Sequence, residues 1–422
     1  MTSRFRKQGR WLLGFIGVYV VTAAILNTLV NPLRMEPASL SITALDPYRE
    51  IGDDLRTGKA GLVGYHRDVE VAIVGSSRFE IGIDPLQPAF KGARVLNVAM
   101  AAATLYEDIE MARYLMAREP HLRELIFGLD MGDLSSDTDS RKFTSFYTSP
   151  LAKATVSLDR EMRHVASIGS VEESFSTLAH FIRRQEPSHS SLGRWMTPRH
   201  PNDLRTYLKN NRDDIFDRIP DMYELRHQEI RADKMAKLKK LLIDLRRRGV
   251  VVLIAIPPQL AIKQLHPSFD LPSVAPWSRE RRAIFDLCRD VNAIGLENAP
   301  TVQLWDFATF SAQTCMPLPS LSGTTGRIPH WFDMGHCDVT VGSQMVERML
   351  AMNPASVALP LSEQFGVNIL EVGLEAHLEG LRLGHARYCG DHPDDVAWAR
   401  SIFPRFAAQK PRIQNSVPGE VE

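Results

Sequence analysis

The chain has 422 residues, 50 of them basic and 50 acidic, so it carries no formal net charge, and 44% of it is apolar. That balance gives no electrostatic reason to expect a nucleic-acid partner, and the apolar share is enough for one large domain with additions or for two domains. The four cysteines, Cys288, Cys315, Cys337 and Cys389, include no CxxC pair, so neither a disulfide framework nor a zinc knuckle can be read from them.

The first segment is basic, with Arg4, Arg6, Lys7 and Arg10, and residues 11–30 then run without a charge. At about 1.5 Å per residue such a stretch matches the roughly 30 Å hydrocarbon core of a bilayer. A cleaved signal peptide would carry a shorter apolar stretch and a small-residue cleavage site, and a soluble core helix rarely runs so far uncharged. Residues 1–34 therefore read as a cytoplasmic tip and an uncleaved transmembrane anchor. Basic residues ahead of the span place the N-terminus in the cytoplasm and the rest of the chain outside it. Residues 35–68, with Pro37, Pro47 and a mixed-charge stretch long enough for one helix, read as a stalk.

Residues 71–74, VAIV, are short and β-branched enough for a buried parallel strand. Gly75 ends the run, and Ser76, Ser77 and Arg78 follow at the carboxyl end, the edge where open α/β sheets bind ligands. Either serine there has the position of a nucleophile, and either has the chemistry of a helix cap. Arg78 suits an anionic substrate group, or a surface ion pair with Glu80 or Asp84. A second strand is expected over 94–98, ending near Asn97, and a helix from Leu105 whose apolar positions recur at helical spacing. Tyr106 and Glu107 stand at its start, as pocket residues or as its cap and staple. A third strand over 124–129 leads to Asp130.

Residues 133–229 break the α/β rhythm and are too many for a connecting loop. They read as a largely helical insertion, a candidate lid, with Arg194, Trp195, Arg199 and His200 clustered in a loop suited to sugar stacking and acid recognition or to simple packing. Leucines at helical spacing over 234–248 stop at Gly249, and 250–256 is the most apolar strand. His266 after it is a second-choice base without a local carboxylate. A fifth strand is expected over 301–306. Beyond it Asp333 and His336 stand three apart, so one turn of chain lets a carboxylate orient an imidazole, the usual means of activating a serine. A helix over 343–352 closes the domain. Residues 353–422 read as a C-terminal helical tail, where His385, Cys389 and His392 lack a fourth ligand and no metal is expected.

The order of a strand with Gly75-Ser76-Ser77, a long α/β stretch and a closing Asp333-x-x-His336 resembles the SGNH/GDSL hydrolase superfamily. More closely it resembles the membrane-anchored branch of bacterial envelopes that includes the alginate O-acetylation proteins. The resemblance covers residues 65–350 and implies a flavodoxin-like fold, a three-layer mainly parallel sheet over 69–352. It implies Ser77 as nucleophile, His336 as base and Asp333 as its orienter. The Ala102 amide stands where the family has a glycine. Asp130 stands where the family has an asparagine that donates to the oxyanion, a position where an ionised carboxylate is unfavourable. Asn97 and Arg78 complete the pocket candidates. The resemblance implies an O-acyltransferase or esterase on an exported or envelope polysaccharide, without a cofactor, at the bacterial inner membrane with its main domain periplasmic. It leaves room for a membrane acyl-donor partner. A non-catalytic glycan-binding or assembly protein is the alternative, and Asp130 favours it.

Overall fold

The computed structural model describes residues 3–34, 40–51, 55–135, 144–152, 165–196, 229–264, 276–317, 328–351 and 358–397. Helix α1 (Ser3–Val30) contains the stretch Lys7–Val30, whose mean hydropathy of 2.0 and length of 24 residues suffice to cross a membrane. Left-handed backbone at Asn31 and Arg34 ends it. The chain then folds back through a 3₁₀ turn (Thr43–Tyr48), and Arg49 reaches the freed helix end, its Nε donating to the Val30 carbonyl at 2.9 Å. Helix α2 (Leu55–Tyr65) follows.

The expectation of a stalk over 35–68 needs correction, because residues 56–63 of α2 are buried. Arg56 pairs with Glu107 at 3.0 Å and Lys59 with Glu80 at 2.9 Å, so the polar residues that read as a solvated stalk are inward-facing partners of the α/β unit.

Six strands form one sheet: β1 (Val71–Val74), β2 (Val95–Asn97), β3 (Glu124–Gly128), β4 (Val251–Ile256), β5 (Gln303–Asp306) and β6 (Val367–Asn368). Their order is β2-β1-β3-β4-β5-β6, the first five parallel and β6 antiparallel to β5. The parallel strands are buried along almost their whole length, as strands covered on both faces must be. Helices α3 (Ser77–Gly82), α4 (Leu105–Arg118), α5 (Thr144–Thr148), α6 (Ile168–Arg183), α7 (Ala232–Arg247), α8 (Pro276–Asn292) and α9 (Val339–Met349) connect them, with α5, α6 and α7 all between β3 and β4. Helix α7 packs on both α4 and α8, while α3 packs on α9.

The C-terminal region is part of this unit, which corrects the boundary expected at 352. Strand β6 extends the sheet, a short helix α10 (Ile369–Val372) contacts β5, and α11 (Leu374–Asp391) packs on α8. Its anchor is a buried trio at the end of β5. Asp306 Oδ2 accepts from Arg281 Nε at 2.5 Å and pairs with His377 Nε2 at 2.7 Å, with all three residues almost fully excluded from water.

Of the insertion over 133–229, the described parts contact α1 and the Thr43–Tyr48 turn through α6, α2 through α5, and the β2 edge through the loop 188–196, where the Leu192 carbonyl accepts from the Asn97 amide at 2.9 Å. These contacts supply anchoring and an edge cover, so the described segments do not bear out a lid.

Candidate active site

Strand β1 delivers its last residue to a glycine for two reasons. Gly75 has φ +147°, and a Cβ there would lie 2.9 Å from the Phe79 ring and 3.1 Å from the Gly128 Cα. No larger residue lets β1 and β3 approach so closely while the chain turns into α3. The two serines then divide the roles that sequence left open. Ser76 is the N-cap of α3, its Oγ accepting from the Arg78 amide at 3.4 Å, and it is buried. Ser77 is the first helical residue, half-buried, and its Oγ lies 2.7 Å from His336 Nε2, a contact between residues 259 positions apart.

His336 is held from the other side. Its Nδ1 lies 2.6 Å from Asp333 Oδ2, while Asp333 Oδ1 accepts from the amides of Gly335 and His336 at 2.7 and 2.8 Å. A carboxylate only accepts, so Nδ1 carries the proton and, in the neutral ring, Nε2 accepts from the Ser77 hydroxyl. Burial alone would raise Asp333, but the hydrogen bond and charge of His336, the Gly335 amide and the Lys263 ammonium outweigh it and hold the carboxyl well below the usual range. The turn itself is closed by the Phe332 amide donating to the His336 carbonyl at 2.8 Å and by an antiparallel bridge between Trp331 and Cys337. Asp338 then caps α9, accepting from the Thr340 amide at 2.8 Å.

Arg78 pairs with neither carboxylate expected of it. Its Nη1 lies 3.5 Å from Asp130 Oδ1, so the carboxylate at the end of β3 has a cation beside it. A Cβ on Gly335 would stand 3.0 Å from Lys263 Nζ and 3.5 Å from Arg78 Nε, so both cationic side chains border the turn that carries Asp333 and His336. Lys263 was missed in the sequence reading. Its one signal is position, since it follows β4 at the carboxyl edge, where the doubly wound topology gathers functional loops.

Ala102 has φ +53°, a left-handed conformation that favours glycine. Its loop is pinned to the Gly75 turn by the Met100 amide donating to the Gly75 carbonyl at 2.8 Å, and the Ala102 carbonyl accepts from Arg56 Nη2 at 3.4 Å. Asn97 is not a pocket residue. It is fully buried, and its Nδ2 donates to the carbonyls of Phe79 and Ile83 at 2.9 Å each while its Oδ1 accepts from the Ala99 amide, so it clamps α3 to β2. Tyr106 meets Phe146 of α5 edge-on, and Glu107 closes a capping box with Thr104 at the start of α4.

A buried network behind α3 was also missed. Glu80 pairs with Lys59 at 2.9 Å and with His189 Nε2 at 3.1 Å, and His189 Nδ1 faces Glu50 at 3.2 Å. Burial pushes the Glu80 carboxyl up, yet Lys59 and His189 together bring it below its ordinary value. Trp195 stacks on His189 at 6.2 Å, which makes it a packing residue of this network, and Arg194 lies 3.7 Å from Asp84. Arg199, His200 and His266 lie outside the described residues. In the C-terminal region His385 Nε2 is 3.8 Å from Cys389 Sγ and His392 stacks on Tyr388. Among the described residues no group of three or more His, Cys, Asp or Glu is set to hold a metal ion.

Taken together, Ser77, His336 and Asp333 form a hydrogen-bonded series of hydroxyl, imidazole and carboxylate, partly open to solvent at the carboxyl edge of a parallel sheet. Compared with known proteins, the chain matches no family model, no curated protein and no solved structure.

Proposed function

We propose that the chain is a membrane-anchored SGNH-like acyl-group enzyme, an O-acyltransferase or esterase acting on an envelope or exported polysaccharide. The observation that carries this is the 2.7 Å approach of Ser77 Oγ to an imidazole whose other nitrogen is held at 2.6 Å by Asp333. The parallel strand order β2-β1-β3-β4-β5 and the two helix groups support a flavodoxin-like three-layer fold of that kind. The apolar α1 supports a single-pass anchor in a bacterial inner membrane with the main domain periplasmic.

In this reading Ser77 Oγ attacks an ester carbonyl while His336 Nε2 takes its proton, and Asp333 stabilises the resulting imidazolium. The ester C–O bond breaks, the leaving alkoxide takes the proton back from His336, and an acyl-Ser77 remains. A sugar hydroxyl or water then gives its proton to His336 and attacks the acyl carbon, the acyl–Oγ bond breaks, and Ser77 Oγ takes that proton from His336. Transfer follows in the first case and hydrolysis in the second. The Ala102 amide is the donor candidate for the oxyanion, and Arg78 at 3.5 Å from Asp130 lessens the repulsion a carboxylate would exert there.

The test is labelling of the full chain in detergent by a serine-reactive fluorophosphonate, with turnover of a simple acetyl ester. Ser77→Ala and His336→Ala should abolish both, Asp333→Asn should be milder, and Ser76→Ala should keep a measurable fraction. Labelling that survives in Ser77→Ala, or none in a folded wild-type chain, rejects the enzyme. The second reading, a glycan-binding assembly protein, is favoured by the carboxylate of Asp130 where a neutral donor is wanted. Under the catalytic reading Asp130→Asn keeps or raises the rate near neutral pH. Complementation of a deletion strain by folded Ser77→Ala, His336→Ala and Asp130→Asn variants alike would select the binder. Topology is tested by a reporter fused after Arg34, active only outside the cytoplasm.

A further inference from the structure

A helix on the surface of a soluble domain turns its large apolar side chains inward and its small polar ones outward. Helix α6 does the reverse. Ser170, Ser174 and Thr177 are buried, while Ile168, Phe175 and Ile182 are 68%, 60% and 77% exposed. These three are seven apart, so they form a single line along the helix, and exposed Glu172 shares that side between Ile168 and Phe175 as its one carboxylate. The buried side faces α1: Ser174 Oγ donates to Asn27 Oδ1 at 2.7 Å, and Asn27 Nδ2 donates to the Val165 carbonyl at 2.9 Å. Close approach through small residues, with a polar side chain bonded across the gap, is how helices pack in lipid.

The level of this contact along α1 is fixed. Among the described side chains of α1, Ala23, Asn27 and Val30 are the buried ones, and they occupy its last two turns, a rise of about 10 Å. An interfacial helix lies about 5–10 Å into the boundary between headgroups and acyl chains. Two more exposed apolar residues, Leu40 and Ile42, stand at the same level, because the Ile42 amide donates to the Leu29 carbonyl at 2.9 Å. At its other end α6 carries exposed Arg183 and Arg184, and Phe181 meets Tyr48 edge-on at 5.4 Å, the residue types that sit at the headgroup level.

We propose that α6 is a second membrane-contacting element, seated in the leaflet that α1 leaves at Val30, with Ile168 and Phe175 in the acyl region and the Arg183 end among the headgroups. The bilayer is the occupant of this line because α6 packs on the last two turns of α1, on whose reading as the anchor the proposal rests.

The test uses the full chain in lipid nanodiscs, with an environment-sensitive fluorophore on one introduced cysteine: Ile168→Cys, Phe175→Cys, Val18→Cys in α1, or Lys239→Cys on the exposed face of α7. The unsubstituted chain, labelled in parallel, gives the contribution of native thiols. All four sites are exposed side chains, so the substitutions remove no packing. Quenching by bromine-bearing acyl chains should be as large at Ile168→Cys and Phe175→Cys as at Val18→Cys, and absent at Lys239→Cys. Quenching at Val18→Cys alone, with aqueous iodide reaching the α6 labels, overturns the proposal and leaves the anchor standing. Shielding of the α6 labels from both quenchers overturns it in favour of a covering protein, such as a second copy. No lipid quenching at Val18→Cys rejects the anchor itself, and α6 with it.

Discussion

Ser77 and His336 belong to segments 259 residues apart, and their separation depends on how α3 sits against α9. The closest point between those helices is backbone on backbone. A Cβ added to Gly342 would lie 1.7 Å from the Gly82 carbonyl oxygen, against 3.4 Å for an ordinary contact. Gly342→Ala therefore has to push the helices apart by about 1.7 Å, the difference of those two distances. Overpacking costs about 1–3 kcal/mol, and rigid backbone as the obstacle puts this case at the upper end. The helix propensity of alanine returns about 1 kcal/mol, leaving a net loss of about 2. Since α3 begins at Ser77 and α9 follows His336 by three residues, a shift of that size breaks the 2.7 Å contact, and under the proposed catalytic function a misplacement near 1 Å already costs about 100-fold in rate. Gly82→Ala is the control from the same interface. Its Cβ would meet only Cys337 Sγ at 3.4 Å and the Cys337 carbonyl at 3.7 Å, so it should leave stability unchanged or raise it by up to about 1 kcal/mol. Urea unfolding and fluorophosphonate labelling rates on both variants are the measurements. A Gly342→Ala chain that unfolds and labels like wild type would refute the reasoning, as would equal losses in the two variants.

Asp306→Ala leaves Arg281 buried without its carboxylate and should cost about 3–5 kcal/mol in urea unfolding. In the intact chain burial raises Asp306, but Arg281 and His377 bring it down to about 2. Its contribution is thus present above the unfolded carboxyl value of about 4 and lost as pH falls toward 2, which an acid titration of stability reads directly. Asp108 has the opposite sign, since burial first and then Asp133, Asp130 and Glu107 raise it well above its ordinary value. Its stabilising state is the protonated one, present below the unfolded value and lost as pH rises, so Asp108→Asn should match wild type at pH near 4 and exceed it at higher pH. Ala102→Gly relieves a left-handed φ of +53° and should stabilise by about 0.5–1 kcal/mol, the steric gain less the entropy of glycine, in the same unfolding assay.

What was legible in the sequence was what local chemistry writes locally. The run 71–74 ending at Gly75 names a strand and a tight turn, and Asp333 with His336 names a turn that holds a ring, because each rests on neighbours within a few residues. Five of the six strands are similarly plain, with apolar interiors and polar residues only at their ends, at Asn97, Glu124, Gln303 and Asp306. Strand β6 has only two residues, too short for any periodicity, and what fixes the C-terminal region to the sheet is Arg281, Asp306 and His377, which in a linear reading are charges and so signal surface. The same reversal hid α2, where Arg56 and Lys59 spend their charges on Glu107 and Glu80 in the interior. Asn97 misled for a related reason: a polar residue at a strand's carboxyl edge has the position of a pocket residue, and only the carbonyls of Phe79 and Ile83 reveal it as a clamp.

These buried polar contacts also bear on how the site stands relative to α1. Arg49 holds the Val30 carbonyl, and its neighbour Glu50 accepts from Ser188 at 2.7 Å and faces His189. Burial raises the Glu50 carboxyl, but the hydrogen bonds of His189 and Ser188 bring it down to about 2, so it stays ionised in that position. His189 in turn meets Glu80, on the helix that Ser77 begins. Every step from the end of α1 to the serine helix is therefore a paired, largely buried contact, and removing one partner leaves a charge in the interior at a cost of several kcal/mol. A tether that swung freely would have to break that series at each excursion. That cost ties the position of Ser77 to the end of α1 through the fold and not through a linker.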